Sequence, residues 1–340
     1  MHSKTGGKIM RRHVPWMTPA LVVMVGLTLA FTGWGSQALG QEKTVAFIPK
    51  STNSTFWLAL LKGVQEAGAP LGYKVLYQGV AEQTDIAGQV NVVNDMVSRH
   101  VRGILIAATD AKALAPAVEN AIKRGVPVIT VDSGVDSNAP YAYIATDNIG
   151  AARLAADTLA GLIGSKGVVG DIGITAGSVT GRQREDGFVS RMKENYPGIK
   201  IVSVQYCACD PAKALNIASD MLAGNPNLNA FYGACDGAGT GAAQIVKQRS
   251  LRGKIKTVSF DVSPEEFQLF QDGFVDALIV QDPYTMGYTG MQDLDKVIKG
   301  GHISEKLVQI PAVVVTKDTL GKAQVQKLLK SYPDIAKLLK

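Results

Sequence analysis

The sequence predicts an α/β protein made of two doubly wound, parallel-sheet lobes in tandem. Three observations carry that prediction. Short, nearly all-apolar runs rich in β-branched residues alternate with segments of helical period, the pattern of a parallel sheet covered on both faces. The cycle occurs twice. The 340 residues, 46% apolar with 36 Gly, suit two domains of ordinary size and not a disordered or disulfide-stapled chain.

In the first cycle, a strand at Thr44 to Ile48 precedes a helix with Leu60, Val64, Ala67 and Leu71 on one face. A strand at Lys74 to Tyr77 is followed by Ile86, Val90, Val93 and Val97 at the same spacing. Gly103 to Ala107 precedes a helix carrying Leu114, Val118 and Ala121, and Val126 to Val131 closes the cycle. The second cycle begins after Asn148, with strands at 168–174, 200–206, 230–234, 257–260 and 276–280 and helices between them, two of them at 180–195 and 211–223. A last helix spans 322–340, with Leu328, Leu329 and Ile335 placed to dock. No low-complexity linker separates the halves, so a close hinge with more than one crossover is expected.

Residues 1–40 read as an export signal. Lys4, Lys8, Arg11 and Arg12 precede an uncharged run from Ala20 to Trp34 and a small-residue segment at 35–40, with cleavage expected after Ala38 or Gly40. The run is short for a bilayer span, an uncleaved anchor being the alternative. Without this segment the chain has 31 basic against 29 acidic residues. That balance lacks the basic footprint of a nucleic-acid binder.

The halves match in where they place acids. Asp110 and Asp132 follow strands of the first, Asp236 and Asp261 strands of the second. Strand C-termini are where open α/β sheets bind ligands, so facing lobes would bring these groups to one cleft. Each Asp is also a candidate helix N-cap; at 132 and 261 the downstream Ser133 and Ser263 offer a cap instead.

Several segments then carry a family resemblance: the run from Phe47 to Trp57, Pro127 to Asp132, Ala145 to Asn148, Gly181 to Phe188, and Phe260-Asp261 with Gln281-Asp282-Pro283. In this order and spacing, over about residues 43–315, they resemble the ribose-binding-protein family of type I periplasmic solute-binding proteins. The resemblance implies a periplasmic or otherwise extracytoplasmic clamshell receptor. It would capture a sugar or sugar-like solute between its lobes and deliver it to the membrane permease of an ABC transporter. It implies three hinge crossings, an N-terminal lobe of 43–146 plus 282–311, and a C-terminal lobe of 147–281 plus 312–340. It also implies ligand contacts from Lys50, Asn53, Phe56, Trp57, Asp132, Ser133, Arg182, Cys235, Asp236, Asp261 and Gln281, with no cofactor, no metal, no nucleic acid and a monomeric state. Aromatic faces suit the C–H side of a sugar ring, and carboxylate, guanidinium and amide groups suit its hydroxyls.

The chain departs from the ribose binders in having Asp132-Ser133-Gly134 where they pair Asp with Arg, Cys209 for an aromatic, Cys235 for an Asn, and an added cation at Lys50. These departures point to another pentose or hexose, a polyol or a modified sugar. In an oxidising compartment Cys209 is expected to pair with Cys235, or alternatively Cys207 with Cys235. Competing readings are a sugar sensor that presents its closed form to a chemoreceptor or kinase, and a glycoside-processing enzyme using Asp132 and Asp261. The enzyme reading has little support from the histidines, which are His2, His13, His100 and His302. A sugar-responsive repressor of related fold would need a helix-turn-helix domain in place of the signal. The glycines at 233, 237, 239 and 241 are read as close packing of a helix on its sheet, not as a dinucleotide loop.

Overall fold

The computed structural model describes residues 43–52 and 54–339, so the signal segment at 1–40 and Asn53 lie outside the described residues. In chain order the strands are β1 (Lys43–Ile48), β2 (Tyr73–Tyr77), β3 (Ile104–Ile106), β4 (Val128–Val131), β5 (Tyr143–Thr146), β6 (Gly167–Gly173), β7 (Ile199–Tyr206), β8 (Leu228–Gly233), β9 (Lys256–Phe260), β10 (Ala277–Val280), β11 (Leu307–Ile310) and β12 (Val313–Val315). The helices are α1 (Thr55–Gly68), α2 (Ile86–Ser98), α3 (Ala111–Lys123), α4 (Asn148–Leu162), α5 (Val179–Asn195), α6 (Pro211–Gly224), α7 (Asp236–Gln248), α8 (Pro264–Asp272), α9 (Pro283–Ile298), α10 (Ala323–Ser331) and α11 (Pro333–Ala336).

Two six-stranded sheets form, in the orders β11-β5-β4-β3-β1-β2 and β12-β10-β9-β8-β6-β7. The orders superimpose element for element, so the two lobes share one strand order and differ only in the direction of the edge strands β11 and β12. All neighbours run parallel except β12, which lies antiparallel on β10. The inner strands are buried on both sides, which accounts for their nearly continuous apolar sequence, whereas the edge strands β2, β7 and β11 are partly exposed. Val45 and Phe47 pack under α1 and α9, while Ala46 and Ile48 pack under α2 and α3. In the second sheet Ala277 and Ile279 face one core while Leu278 and Val280 face the other.

The chain passes between the sheets three times: from β5 into α4, which packs on the second core; from β10 into α9, which packs on the first; and from β11 directly into β12. Polar side chains join the first two crossings, Thr146 Oγ1 donating to Gln281 Oε1 at 2.6 Å. The Tyr332 hydroxyl donates to the Gln281 carbonyl at 2.9 Å and ties the C-terminal segment to the hinge. That segment is two helices, not the single one read from its sequence, because Pro333 cannot continue α10 and starts α11 instead. Leu329 and Ile335 are fully buried there. The first helix likewise stops at Gly68, and Leu71 falls in a following 3₁₀ turn. Gly239 packs α7 so closely on its neighbours that a Cβ there would collide with Ser259 and Glu266.

Asp171, within β6, is a buried carboxyl whose Oδ2 has no partner among the described residues. Burial, reinforced by Glu185, pushes its pKa up to about 8. The native state then holds this proton between about pH 4 and 8 while the unfolded chain releases it. Stability should therefore fall across that window. Asp171→Asn should remove this slope, so urea denaturation should show the unsubstituted protein losing up to about 1.4 kcal/mol per pH unit relative to the variant between pH 5 and 7. Parallel pH profiles would contradict the assignment.

Candidate functional site

Both sheets end at the same small polar cavity. Its walls come from the C-terminal ends of β1, β4, β6, β8, β9 and β10 and from the first turns of α1, α5 and α7.

The two carboxylates at its centre are Asp132, directly after β4, and Asp261, directly after β9. These strands hold equivalent places in the two sheets. Each Asp extends the ladder by one backbone bond, Asp132 N–H to the Ile144 carbonyl at 2.8 Å and Asp261 N–H to the Ile279 carbonyl at 2.9 Å. Each then turns the chain in the left-handed region, with φ of 59° and 71°. Backbone of this kind costs a non-glycine residue on the order of 1 kcal/mol or more and is retained where the surroundings over-determine it.

Each carboxylate faces one buried cation. Lys50, in the turn after β1, lies 3.1 Å from Asp132 and donates to Thr180 Oγ1 of α5 at 2.7 Å. Burial pulls the Lys50 pKa down, and the Asp132 charge opposes that shift. Arg184 lies 3.5 Å from Asp261, donates to Asn148 Oδ1 and the Ala234 carbonyl at 2.9 and 2.8 Å, and stacks 4.2 Å over the Phe260 ring. Asp261 also accepts from the Gln281 amide, so the hinge glutamine binds the site carboxylate. Burial raises the Asp261 pKa, against the lowering effect of Arg184 and Gln281.

Asp236 opens α7 and lines the cavity. Its pKa is pushed up to about 7, first by burial and then by the Asp261 charge. Glu266, fully buried, is raised well above the carboxylate range by burial and by Asp236. Phe56 and Trp57 sit on the first turn of α1, capped by Ser54, whose Oγ accepts from the Phe56 N–H. Their rings meet edge to face at 4.8 Å, and both line the cavity while their other faces join the first core.

The structure thus brings together Lys50, Phe56, Trp57, Asp132, Cys235, Asp236, Asp261 and Gln281. It does not bring in Arg182 or Ser133. Arg182 is half-exposed, 3.6 Å from Asp136 and donating to the Gly177 carbonyl at 3.0 Å. On α5 the inward face is Thr180, Arg184 and Phe188 at four-residue spacing, which turns position 182 outward. That spacing is the signal that identifies Arg184. Ser133 is buried beneath β4, its carbonyl accepting from the Ala108 N–H, and no helix follows for it to cap. Asp110 caps α3, whereas Ser263 caps α8 and leaves Asp261 free for the cavity. Ser54, Gln83, Ile174 and Thr180 also line the site. Cys209 and Cys235 are joined by a disulfide, and Cys207 is a buried free thiol.

The lobes meet at the cavity rim. Besides Lys50 with Thr180 and Asp136 with Arg182, the Ala111 N–H donates to the Gly177 carbonyl at 3.1 Å.

Two lobes of one strand order, crossed three times and meeting at a polar cavity, define a two-lobed solute-binding protein. The chain belongs to the periplasmic binding protein domain family, whose model matches residues 45–302. It is 27% identical to the ribose import binding protein of Haemophilus influenzae over 285 residues, 84% of this chain and 94% of the relative. It is also 27% identical to the D-allose-binding periplasmic protein of Escherichia coli, covering 82% and 90% of the two chains. Among solved structures it is 33% identical to a carbohydrate transporter solute-binding protein of Agrobacterium radiobacter in complex with D-arabinose, with TM-score 0.81 and 85% and 99% of the chains covered. An ABC transporter solute-binding protein of Agrobacterium vitis with bound D-fucose matches at 33% identity, TM-score 0.81, covering 84% and 99%.

The contrast between the two arginines is testable by urea denaturation. Arg184→Ala leaves buried Asp261 without its cation and should cost about 3 kcal/mol or more. Arg182→Ala removes an exposed pair and should cost less than about 1 kcal/mol. Equal costs would contradict the assignment of Arg184 to the buried site.

Proposed function

We propose that the protein is an extracytoplasmic receptor that encloses a monosaccharide or closely related polyol between its lobes and presents it to the membrane permease of an ABC transporter. The observation that carries this reading is the cavity itself. It sets a carboxylate from the end of each sheet, two cations and the hinge amide against an aromatic edge, a composition suited to a ring with hydroxyls on its rim and C–H groups on its face. The curated relatives and solved structures named above are sugar binders, several of them parts of transport systems.

We take the lobes as 43–146 with 282–311 and 147–281 with 312–340. The allocation of β1 to β5 and β11 to one sheet, and of β6 to β10 and β12 to the other, supports those boundaries. Ligand bound to one lobe supplies contacts to the other, so it shifts the open–closed balance only by its preference for the closed form. Asp132 paired with Lys50 and Asp261 paired with Arg184 are held in place as acceptors for ligand hydroxyls. The residues proposed for contact are Lys50, Phe56, Trp57, Asp132, Arg184, Asp236, Asp261 and Gln281.

Trp57 is the one tryptophan among the described residues and borders the cavity. Titration of the exported form with D-arabinose, D-fucose, D-allose, their epimers and polyols should give a saturable, stereoselective change in its emission. A sugar lacking one bonded hydroxyl should bind about 5- to 150-fold more weakly, as expected for one unsatisfied buried partner at about 1–3 kcal/mol. No response across the panel, with calorimetry also silent, would overturn the sugar reading.

A further inference from the structure

The Cys209–Cys235 disulfide stands at the edge of the ligand cavity, and it takes part in more than one boundary. The strands preceding its two cysteines, β7 and β8, flank β6, so the bridge straps over the end of β6, where Ile174 lines the same cavity. Beside it lies a second groove, lined in part by Ala208, Cys209, Asp210, Asp236 and Gly237. Cys209 and Asp236 belong to both spaces. Ser54 and Gln83 line both as well, so the Cys209 end of the disulfide is one part of the boundary between the ligand cavity and this groove.

The strap is held in a conformation that the chain does not favour by itself. Ala208 and Cys209 are consecutive non-glycine residues in the left-handed region, with φ of 56° and 57°. It presses on the first turn of α7 so closely that a Cβ at Gly237 would collide with the Cys209 backbone. Cys235 occupies the N-cap of α7, yet its side chain makes no capping bond. Asp236, the next residue, is one of the cavity carboxylates. Loop strain, helix start and a ligand-facing acid thus all hang on one covalent bond.

Resting on the sugar-receptor reading, we propose that this disulfide is a redox control of ligand affinity: reduced, the protein stays folded but holds its sugar more weakly. The reductant is a dithiol. One of its thiolates attacks the sulfur of half-buried Cys209 from the groove, the S–S bond breaks, and Cys235 leaves as a thiolate that takes up a proton. The second thiol of the reductant then displaces Cys209 and the reductant departs as a disulfide, so two electrons and two protons pass to the protein. As the leaving group, before it is protonated, the Cys235 thiolate sits at the N-terminus of α7, where the helix dipole favours it. Released, residues 207–210 relax away from α7, and the cavity opens into the groove beside Asp236.

The test uses the exported, oxidised protein with D-arabinose, D-fucose and D-allose as probes, before and after dithiothreitol treatment, with far-UV circular dichroism as the measure of folding. Reduction should weaken the best-bound sugar at least tenfold with the dichroism spectrum retained. Cys207→Ala should respond as the unsubstituted protein does. The double variant Cys209→Ser with Cys235→Ser should bind weakly whether or not dithiothreitol is present. Unchanged affinity on reduction overturns the inference, and so does loss of the folded spectrum, which would make the bond purely structural. Amide exchange without any sugar supplies a readout that does not depend on the ligand. Residues 208–210 and 236–240 should exchange at least tenfold faster on reduction while β8 stays protected, and unchanged exchange overturns the inference. If no probe binds even the oxidised protein, the sugar reading fails while the exchange result still decides this one.

Discussion

Two aspartates held in left-handed backbone, one at the end of β4 and one at the end of β9, set the geometry on which the rest of the cavity depends. Each has its N–H in the adjoining strand's ladder and its carboxylate turned into the space between the sheets. A buried carboxylate demands a cation or several hydrogen bonds, and that demand accounts for the surrounding residues. Lys50 answers Asp132 within the first lobe. Arg184 answers Asp261 in the second, and Gln281 adds an amide from the hinge.

The hinge enters the same network. Thr146 and Gln281, at two of the three crossings, bond each other, and Gln281 continues to Asp261 and through its carbonyl to Tyr332. A change at Asp261 is therefore transmitted to the segment that must bend when the lobes part. Lys50 reaches across the cleft to Thr180, so a ligand that competes for Lys50 or Asp132 acts on both the site and the closure. Asp261, the hinge and the C-terminal segment form one bonded network, and Lys50, Asp132 and Thr180 form a second across the cleft.

Much of this was legible in the chain. The fully buried strands announce themselves as continuous apolar runs, because both of their faces are covered. β5, β11 and β12 escape that pattern: no helix separates β4 from β5 or β11 from β12, so they fall outside the strand–helix alternation, and β11 alternates exposed with half-buried positions. α4 hides its core face in Ala151, Ala152, Ala155 and Ala156, residues too small to mark a stripe. Asp132 and Asp261 were readable from their places at strand ends and Trp57 from the start of α1, while Lys50 came from the family resemblance. The choice of Arg182 over Arg184 turned on helical phase, which a motif match alone does not supply. Ser133 failed for a different reason, since it lies one residue beyond a turn that reverses the chain and buries its side chain.

The central claim is that the paired aspartates hold the ligand. Calorimetric titration of the best-bound sugar into Asp132→Asn and Asp261→Asn tests it most directly, because the amide keeps the shape and removes the charge. The account predicts at least a 30-fold loss of affinity in each variant, about 2 kcal/mol, with the fold retained. Affinity unchanged in both, in folded protein, would contradict it and move the ligand away from the ends of β4 and β9.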